Sequence, residues 1–590
     1  MVMVMEAPSA DGKAAAIREP LLEAEAEAET AKGGFRTLPF IIANEGLERL
    51  ATSGLTPNMI LYLTQQYNMG NTAAANVINL WSAATNFTPI LGALIADSYA
   101  GKYRMVGFGS ILSFLGMVLF WLTTMFPQAT PNCDRFSGIC ESPTTLQLLF
   151  LYSSFGIMSI GAGGIRSSSA AFGVDQLDKI RNTPEYAKTL RSLFNWYYVS
   201  ISVGIIIAST VIVYIQDNLG WKMGFGVCVV LMLVALLSFY LATPFYIKLK
   251  AKTSLLTGFA QALVASFRNR HINLPSQATN EVCFLSGSMF EAPSENLRFL
   301  NKACVIKNPQ QDLTLDGNAS NSNPWSLCTV DQVEELKALI RVMPICSTGI
   351  MVNVVTSQGS FIVIQTYTMD RHITSNFEIP AASFSLLLII ALIVGIFFYE
   401  HIALPLASKV KGKSVRLSLK QRMGIGLLFS CAAMVSAAIA EYIRRGIAIK
   451  EGLSDEPQAL VHMSALWVMP FYLFCGLSEA FNAIPQYEFF FSELPKTMAS
   501  IASSLVLLGL FAGSLVASFI MDAVEDISKR GGESWLSSNI NKGHYDYYYW
   551  FIAGLSVLNF VYYLACCKAY GPCKADDNES DHQADQASRI

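Results

Sequence analysis

Charged side chains inside otherwise apolar, membrane-length stretches are the feature that most constrains this chain. One stretch contains Glu45, Glu48 and Arg49, another contains Arg166, and a third contains Glu479. A charge at the centre of a membrane helix costs about 2.5–3.5 kcal/mol on insertion scales, and such residues usually mark an ion or solute pathway. These charges therefore predict a pathway through a membrane protein.

The composition agrees with a helical membrane protein. Of 590 residues, 14% are charged and 52% are hydrophobic, the mean hydropathy is +0.40, and the apolar residues form long runs. Such runs fit the apolar core of a bilayer, which is about 30 Å thick, so we expect the lipid bilayer as a partner. The formal net charge is -3, and no basic tract is interleaved with aromatic residues, so we expect no nucleic-acid partner.

Twelve apolar runs are long enough to cross a membrane, six on each side of a long polar stretch. The predicted spans lie at about 36–65, 74–96, 105–126, 146–174, 194–215, 223–247, 338–366, 379–402, 423–442, 459–488, 498–521 and 546–567. The sequence thus predicts an all-α membrane protein with about twelve transmembrane helices, arranged as two six-helix halves joined by a cytosolic loop.

The polar segments divide the chain further. Residues 1–34 lack an apolar core and are predicted to form a disordered cytosolic tail. The linker contains a plausible amphipathic helix from Leu255 to Phe267. The predicted divisions are the tail 1–34, an N-terminal six-helix bundle 35–247, a cytosolic linker 248–337, a C-terminal six-helix bundle 338–570 and a cytosolic tail 571–590.

The placement of Lys and Arg predicts the orientation in the membrane. Cytosolic connections carry an excess of these residues. The connections rich in them are 97–104, 175–193, 248–337 and 403–422. By contrast, 66–73 has none, so both termini are predicted to be cytosolic. The connection 443–458, which contains Arg444 and Arg445, departs from this trend.

The first charged stretch has a chemistry of its own. Residues at i, i+3 and i+4 share one face of a helix, so Glu45, Glu48 and Arg49 are predicted to converge on one patch. One arginine cannot neutralise two carboxylates, and two neighbouring glutamates in a low dielectric resist joint ionisation. One of them is therefore predicted to bind a transported proton. The alternative is a fixed ion pair between helices; intramembrane acids mark proton relays often enough that we favour coupling.

Arg166 and Glu479 lie in different predicted halves. If the halves surround a central cavity, the two side chains can pair across it. A guanidinium presents a planar fork to carboxylates and other oxyanions, so Arg166 can exchange Glu479 for an anionic substrate. In this hypothesis pairing closes the carrier and substrate opens it. The alternative is a permanent structural bridge.

The charges also predict a stoichiometry if all of them line one cavity. Three acids and two bases leave one negative charge, so an empty site that holds one proton is neutral. A loaded site with a monovalent anion then needs a second proton in order to cross uncharged. The sequence thus predicts one proton transported with each monovalent anion.

Several motifs together resemble a known family. They are Asn44 to Arg49, which reads ExxER from Glu45; Gly92 to Arg104; Gly163 to Arg166 with Phe172 to Gln176; Phe194 to Tyr198; Gly476 to Ala480; and Phe489 to Pro495 with Met498 to Ser500. The two-half layout resembles the major facilitator superfamily. The motifs resemble its proton-coupled oligopeptide transporters and their plant branch, the nitrate and peptide transporter family.

The resemblance implies a proton-coupled symporter that works by alternating access and needs no cofactor beyond the proton gradient. It implies the plasma membrane as the location, with the tonoplast as the alternative. Tyr197 and Tyr198 are candidates to line the cavity, although an aromatic packing stripe is the plainer interpretation. The implied roles are proton coupling for Glu45, Glu48 and Arg49, substrate binding and gating for Arg166 and Glu479, and a cytosolic turn like the superfamily's inter-helix latch for Asp97, Lys102 and Arg104.

The substrate is predicted from the same residues. A small anion needs only Arg166 and compensating protons, whereas a zwitterionic peptide also needs a fixed acid, and few acids besides Glu479 are available. Together with the plant resemblance, this favours a monovalent anion, with nitrate first. The alternatives are an organic acid or hormone such as gibberellin, abscisic acid or a jasmonate conjugate, and a di- or tripeptide. Residues 342–368 contain no histidine, so a nitrate site built on histidine is not expected.

Other classes of function are less well supported. The sequence has no nucleotide-binding loop, metal-ligand cluster or nucleophile elbow, so neither an enzyme nor a metal site is expected. A receptor that keeps the binding site but transports little remains the rival from another class. A uniporter without proton coupling is disfavoured by the intact set of Glu45, Glu48 and Arg49.

Overall fold

The computed structural model describes most of the chain. The described residues are 33–34, 36–131, 141–178, 183, 185–248, 255–272, 285, 293–306, 325–374, 377–412, 417–495 and 498–571. Apart from residues 33, 34 and 571, the predicted tails 1–34 and 571–590 lie outside them.

Helices in the first half of the chain coincide with the six spans predicted there. They are α1 Leu38–Leu55, α2 Met59–Gln65, α3 Asn71–Ile95, α4 Lys102–Leu122, α5 Thr145–Asp175, α6 Glu185–Ile207, α7 Val213–Leu219 and α8 Trp221–Leu241. The first predicted span, 36–65, is divided between α1 and α2, and the span 194–215 is divided between α6 and α7.

The linker contains two described helices, α9 Leu255–Arg268 and α10 Arg298–Asn301. Helix α9 matches the predicted amphipathic helix to within one residue. Backbone hydrogen bonds join the amide of Leu285 to Cys304, that of Val330 to Leu285, and that of Cys328 to Ala303. Residues 258–272, 298–306 and 325–330 thereby form a small folded unit, which we call the linker platform.

The second half of the chain begins as the platform ends. Its helices are α11 Val330–Thr348, α12 Ile350–Ser357, α13 Gly359–Tyr367, α14 Leu386–Phe398, α15 Leu404–Lys411, α16 Leu419–Lys450, α17 Met469–Ser478, α18 Ile484–Glu493, α19 Ala499–Arg530 and α20 Tyr545–Tyr570. Short strands lie between them: β1 Met369–Asp370 pairs in parallel with β4 Val461–Ser464, and β2 His372–Thr374 pairs antiparallel with β3 Phe377–Glu378.

Several long helices have defined starts and internal breaks. Reciprocal capping boxes begin α5, α11 and α16, each with a Ser or Thr cap and a Gln three residues later. Wider π-helical turns interrupt other spans at Ala96–Ala100, Ala208–Ile212, Tyr399–Ala403 and Glu479–Ala483. Such turns often occur at functional sites, and the last one begins at Glu479.

Within the described residues, nine helical stretches are long and apolar enough to cross a membrane by length and composition alone. The other predicted spans are α1 with α2, α3, and α17 with α18. Helix α1 contains Glu45, Glu48 and Arg49, α3 is rich in Asn, Ser and Thr, and the last pair flanks Glu479. These spans are less apolar because they carry the polar groups of the interior. The predicted all-α membrane fold is confirmed.

The two halves meet at the ends of the helices that are predicted to face outside. Helix α3 packs along α19, and α2 packs on α13. Asn76 on α3 donates a hydrogen bond to Asp522 and accepts one of 2.6 Å from Ser518, both on α19. Asn71 donates a hydrogen bond of 3.0 Å to the hydroxyl of Tyr545. These contacts close this end of the molecule in this structure.

Candidate functional site

The charged residues of α1 form one cluster, as their helical spacing predicts. Glu45 Oε1 lies 3.5 Å from Arg49 Nε, and Glu48 Oε2 lies 3.9 Å from the same atom. Both glutamates are buried, while 27% of the Arg49 side chain is exposed. The arginine is therefore more accessible than the two acids that it contacts.

Arg166 joins this cluster from α5. Its Nη2 atom lies 3.9 Å from Glu48 Oε1. Small residues let α5 approach its neighbours closely: a Cβ at Gly163 would lie 2.7 Å from the Cβ of Thr88 on α3, and one at Gly161 would lie 2.4 Å from Ser113 on α4. This close packing brings the guanidinium to the middle of the N-terminal half.

The predicted partner of Arg166 is different in this structure. Among the described ion pairs, Arg166 reaches Glu48 of its own half and not Glu479 of the other half. The sequence predicts a pair of Arg166 with Glu479 because the two lie in different halves, whereas helix packing brings α1 into contact with α5. The pair across the cavity is therefore not formed in this structure.

The cluster has equal numbers of acids and bases but incomplete hydrogen bonding. Glu45 and Glu48 balance Arg49 and Arg166 when both acids are ionised. Within the described part of the chain, neither carboxylate oxygen of Glu48 has a hydrogen-bond partner, and the Nε atoms of Arg49 and Arg166 have none. Buried polar atoms without hydrogen bonds cost free energy. The carboxylate oxygens of Glu48 are therefore available to accept a proton, and the two guanidinium groups are available to bind an anion.

Arg166 faces a polar cavity of about 170 Å³ in the N-terminal half. The cavity lies between α1, α3 and α5. Hydroxyl and amide groups cover much of its wall, and Trp81 and Met158 contribute apolar surface. The polar lining consists of Thr52, Ser53, Thr56, Ser82, Thr85, Asn86 and Arg166. The guanidinium of Arg166 is the charged donor of this lining and can bind a small oxyanion.

Glu479 belongs to a second cavity, of about 200 Å³, in the C-terminal half. Its polar lining is Asn353, Thr356, Glu479, Asn482, Gln486 and Tyr487. Some of these amides hold the backbone: Asn353 donates 2.8 Å to Leu510 O, and Asn482 donates 3.1 Å to Met423 O. Glu479 is the charged residue among the described lining of this cavity, and the other lining residues are neutral.

The two candidate cavity tyrosines on α6 have different environments. Tyr197 is buried beside Glu45 and Arg49, so it packs against the charged cluster. Tyr198 is 63% exposed and lies near Tyr487 of the C-terminal half. Tyr198 is therefore exposed near Tyr487, which lines the second cavity, whereas Tyr197 is buried against the charged cluster.

The predicted cytosolic turn joins two helices. Lys102 donates 2.9 Å to Asp175 Oδ1, which ties the start of α4 to the end of α5. Asp97 lies on the π-helical turn after α3, and both Asp97 and Arg104 are exposed. Lys102 thus makes the ion pair of this turn, with a partner that sequence spacing alone did not select.

Sequence analysis missed a second buried ion pair, between Glu441 and Arg444 on α16. Arg444 donates two hydrogen bonds of 2.8 and 2.7 Å to Glu441, one of 2.7 Å to Asn541 Oδ1 and one of 3.2 Å to the carbonyl of Ile540. Both charges are fully buried. One of the three basic residues of 443–458, Arg444, is therefore buried in an ion pair and is not part of a charged loop. The signal in the sequence that could have revealed this pair is an acid and an arginine three residues apart in an apolar helix.

These features define a class of protein. Two sets of membrane helices surround an interior with buried charges and polar cavities, and the halves close against each other at one end. The arrangement is that of a membrane transporter of the major facilitator type.

Comparisons with known proteins agree with this class of protein. Residues 103–536 match the model of the POT family, PTR2. The chain is 50% identical over 555 residues to Protein NRT1/PTR FAMILY 1.2 of Arabidopsis thaliana, covering 92% of this chain and 91% of the relative. It is 49% identical over 547 residues to Protein NRT1/PTR FAMILY 1.1 of the same plant, covering 92% of each.

A solved structure of an auto-inhibited POT family peptide transporter has the same fold. It superposes with a TM-score of 0.65 at 19% identity, covering 90% of this chain and 96% of that one. The protein belongs to the POT family, and its relatives are plant NRT1/PTR proteins. The resemblance read from the motifs is confirmed.

Proposed function

We propose that the protein is a proton-coupled symporter that imports a small anion, with nitrate as the first candidate, by alternating access. The observation that carries the proposal is the position of Arg166. Its guanidinium lies 3.9 Å from Glu48 on one side and lines a hydroxyl-rich cavity of about 170 Å³ on the other. A single group thereby links a protonatable acid to an anion site.

The coupling follows from the charges of the cluster. With both glutamates ionised, the two acids and two arginines are neutral together. A proton on Glu48 removes the competing carboxylate and leaves a net positive charge, which attracts an anion to Arg166. A bound anion in turn favours protonation of Glu48. Proton and anion therefore stabilise each other, and we propose that one of each is transported together.

Glu479 has a separate part in this proposal. It lies in the second cavity among neutral amide and hydroxyl groups, so a carboxylate there gains little from its neighbours and is more stable when protonated. A proton that stays on Glu479 keeps the empty carrier neutral. The transported proton is then the one on Glu48.

A second candidate substrate is favoured by the same cavity. A solute with both a carboxylate and an amino group could bind Arg166 in the first cavity and Glu479 in the second. A di- or tripeptide has this chemistry, whereas an organic acid or plant hormone would use only the Arg166 side. We place these after nitrate because Arg166 alone satisfies a small anion. A receptor that binds the same solutes without transport remains the alternative class.

Uptake in oocytes tests the function directly. Labelled nitrate, a dipeptide and a hormone panel are offered in parallel at acidic and at neutral external pH. The proposal expects nitrate uptake that rises with acidity. Dipeptide uptake without nitrate uptake would show that the substrate is a peptide and not nitrate. Binding without any uptake would favour a receptor. A fluorescent fusion in plant cells tests the proposed plasma-membrane location against the tonoplast.

A conservative variant tests the residue that carries the proposal. Arg166→Lys keeps the charge but loses the planar fork, so the KM for nitrate should rise by about tenfold, the order of one charge-assisted hydrogen bond. Arg422→Lys is the matched control, since Arg422 pairs with Glu488 at the cytosolic end at 2.7 Å. Equal nitrate KM values in the two variants would contradict an anion site at Arg166.

A further inference from the structure

Helix α9 of the linker platform has two apolar faces. The inward face consists of Phe259, Ala262 and Ala265, which are buried in the same core cluster as residues at the start of α11. Ser266 donates a hydrogen bond of 2.7 Å to the carbonyl of Phe299, which fixes the neighbouring segment against the helix. This face accounts for the folding of the platform.

The outward face of α9 is also apolar. Leu263, Val264 and Phe267 are 49%, 44% and 69% exposed, and the adjacent Phe299 is 56% exposed. An amphipathic helix of a soluble unit normally presents polar residues on its solvent side. Contiguous exposed apolar side chains instead mark a surface that contacts another body.

Basic side chains border this outward face. Arg268 is exposed at the end of α9, and the guanidinium of Arg270 lies 4.7 Å from the centre of the Phe267 ring. Lys302 Nζ donates 2.8 Å to the carbonyl of Arg270. Glu295, an acid shortly before α10, pairs with Arg298 at 3.2 Å. An apolar centre with a basic border is complementary to an anionic lipid surface.

The platform lies at the level of the membrane surface. Its contact with α11 includes Val333, five residues before the apolar stretch that begins near Ala338. At about 1.5 Å per residue this is about 8 Å, and α9 is about 10–12 Å wide. The headgroup layer is about 5–8 Å thick on each side. The helix is therefore within reach of the headgroups.

The segment that connects α8 to α9 is also short. Lys248 Nζ lies 4.3 Å from the ring centre of Tyr103, at the cytosolic end of α4. Only residues 249–254 separate Lys248 from α9, and an extended chain of that length spans about 25 Å at most. The linker thus starts near the end of α8, and α9 begins within about 25 Å of that point.

We propose that the outward face of α9 binds the cytosolic leaflet of the membrane. Leu263, Val264 and Phe267 enter the boundary between headgroups and acyl chains, and Arg268 and Arg270 contact anionic phosphate groups. Because α9 is packed on the start of α11, this attachment anchors the cytosolic end of that helix to the leaflet. The inference is independent of the transported substrate.

Photocrosslinking of the full-length protein in nanodiscs tests this surface. A benzoylphenylalanine is placed at Phe267 and, in a second variant, at Leu263; Gln261, on the flank of the same helix, is the matched control position. The discs contain phosphatidylcholine alone or with phosphatidylserine. Lipid adducts identified by mass spectrometry are expected at 267 and 263 in clearly higher yield than at 261, whose side chain is partly buried, with phosphatidylserine enriched among them.

The charge contribution is tested on the same variants. Arg268→Gln and Arg270→Gln should each lower the yield of phosphatidylserine adducts about fivefold, the effect of one basic residue near an anionic surface. Crosslinks from 267 to the N-terminal half would overturn the proposal and make the face an internal docking surface. Absence of lipid adducts at both positions, or equal yields with and without phosphatidylserine, would also contradict it.

Discussion

Arg166 Nη2 lies 3.9 Å from Glu48 Oε1, which joins α5 to the acidic cluster on α1. The guanidinium that can bind an anion is therefore next to the acid that can bind a proton, within one half of the molecule. Glu479 lies in a separate cavity of the other half. The predictions below follow from this division.

Glu48→Gln should abolish the stimulation of uptake by acid while the protein still folds and reaches the membrane. The amide keeps the size of the carboxylic acid but cannot exchange a proton, so anion binding no longer depends on proton binding. The measurement is the ratio of uptake at acidic and neutral external pH. Glu488→Gln, at the cytosolic end, is the control; an unchanged ratio in Glu48→Gln would rule out this acid as the proton site.

Reversing the charge of Arg166 should be rescued by its neighbour. Arg166→Glu places a third acid in the cluster and should reduce surface expression strongly, since uncompensated buried charges cost about 3–5 kcal/mol. Adding Glu48→Arg should restore expression, measured by a fluorescent fusion. Adding Glu479→Arg instead should restore it only if Arg166 and Glu479 pair in another conformation. Failure of both combinations would argue against ion pairing by Arg166.

Glu479→Gln should preserve the acid stimulation of nitrate uptake and keep the KM within about threefold of the wild-type value. The amide imitates the protonated acid that the neutral cavity favours, and substrate binding by Arg166 is unaffected. If the pair across the cavity closes the empty carrier, the maximal rate falls while the KM does not. Loss of acid stimulation would show instead that Glu479 carries the transported proton.

Arg444→Met should destabilise the protein strongly, by about 3–5 kcal/mol, because it leaves Glu441 buried without its partner. The double variant Glu441→Leu with Arg444→Met should recover most of the loss. The readout is the midpoint of thermal unfolding in detergent. Arg445→Met, at the next and more exposed position, is the control and should change the midpoint little; equal shifts for the two arginines would contradict the assignment.

Asn76→Leu should shift the protein toward an outside-open state. Asn76 contacts Asp522 and Ser518 of the other half, and each lost hydrogen bond is worth about 0.5–1.5 kcal/mol, so the open population rises by up to about tenfold per bond. Labelling from outside of a cysteine introduced at Thr56, on a background without other reactive cysteines, reports the change. Asn218→Leu, which removes a bond only within its own helix, is the control. Equal labelling of the Asn76→Leu and wild-type proteins would show that the hydrogen bonds of Asn76 do not hold this end closed.

Features that depend on neighbours along the chain were predictable. Apolar runs predicted where the helices lie, because the cost of polar groups in a bilayer acts locally. Several helices extend well beyond the predicted span, as α16 does at Leu419–Lys450 against 423–442. The cluster of Glu45, Glu48 and Arg49 followed from the helical repeat. Helix α9 was predicted from Leu255 to Phe267 and is found at Leu255–Arg268 for the same reason.

Features that depend on which helices pack together were not predictable. Tyr197 and Tyr198 are adjacent in sequence, yet one is buried and the other is 63% exposed, because neighbouring side chains on a helix point about 100° apart. In the sequence, Arg444 was visible only because the connection 443–458 departs from the Lys and Arg trend. Its partners Asn541 and Ile540 lie almost a hundred residues away along the chain.

The sequence by itself determined a helical membrane protein, the places of its spans, its family and the charged cluster of α1, since hydropathy and helical periodicity are properties of short segments. The tertiary structure decided that Arg166 contacts Glu48 in place of Glu479. Glycines at 161 and 163 let α5 pack closely against α3 and α4, and that packing sets the reach of the guanidinium. Ion-pair partners depend on distances across helices, which no local pattern encodes.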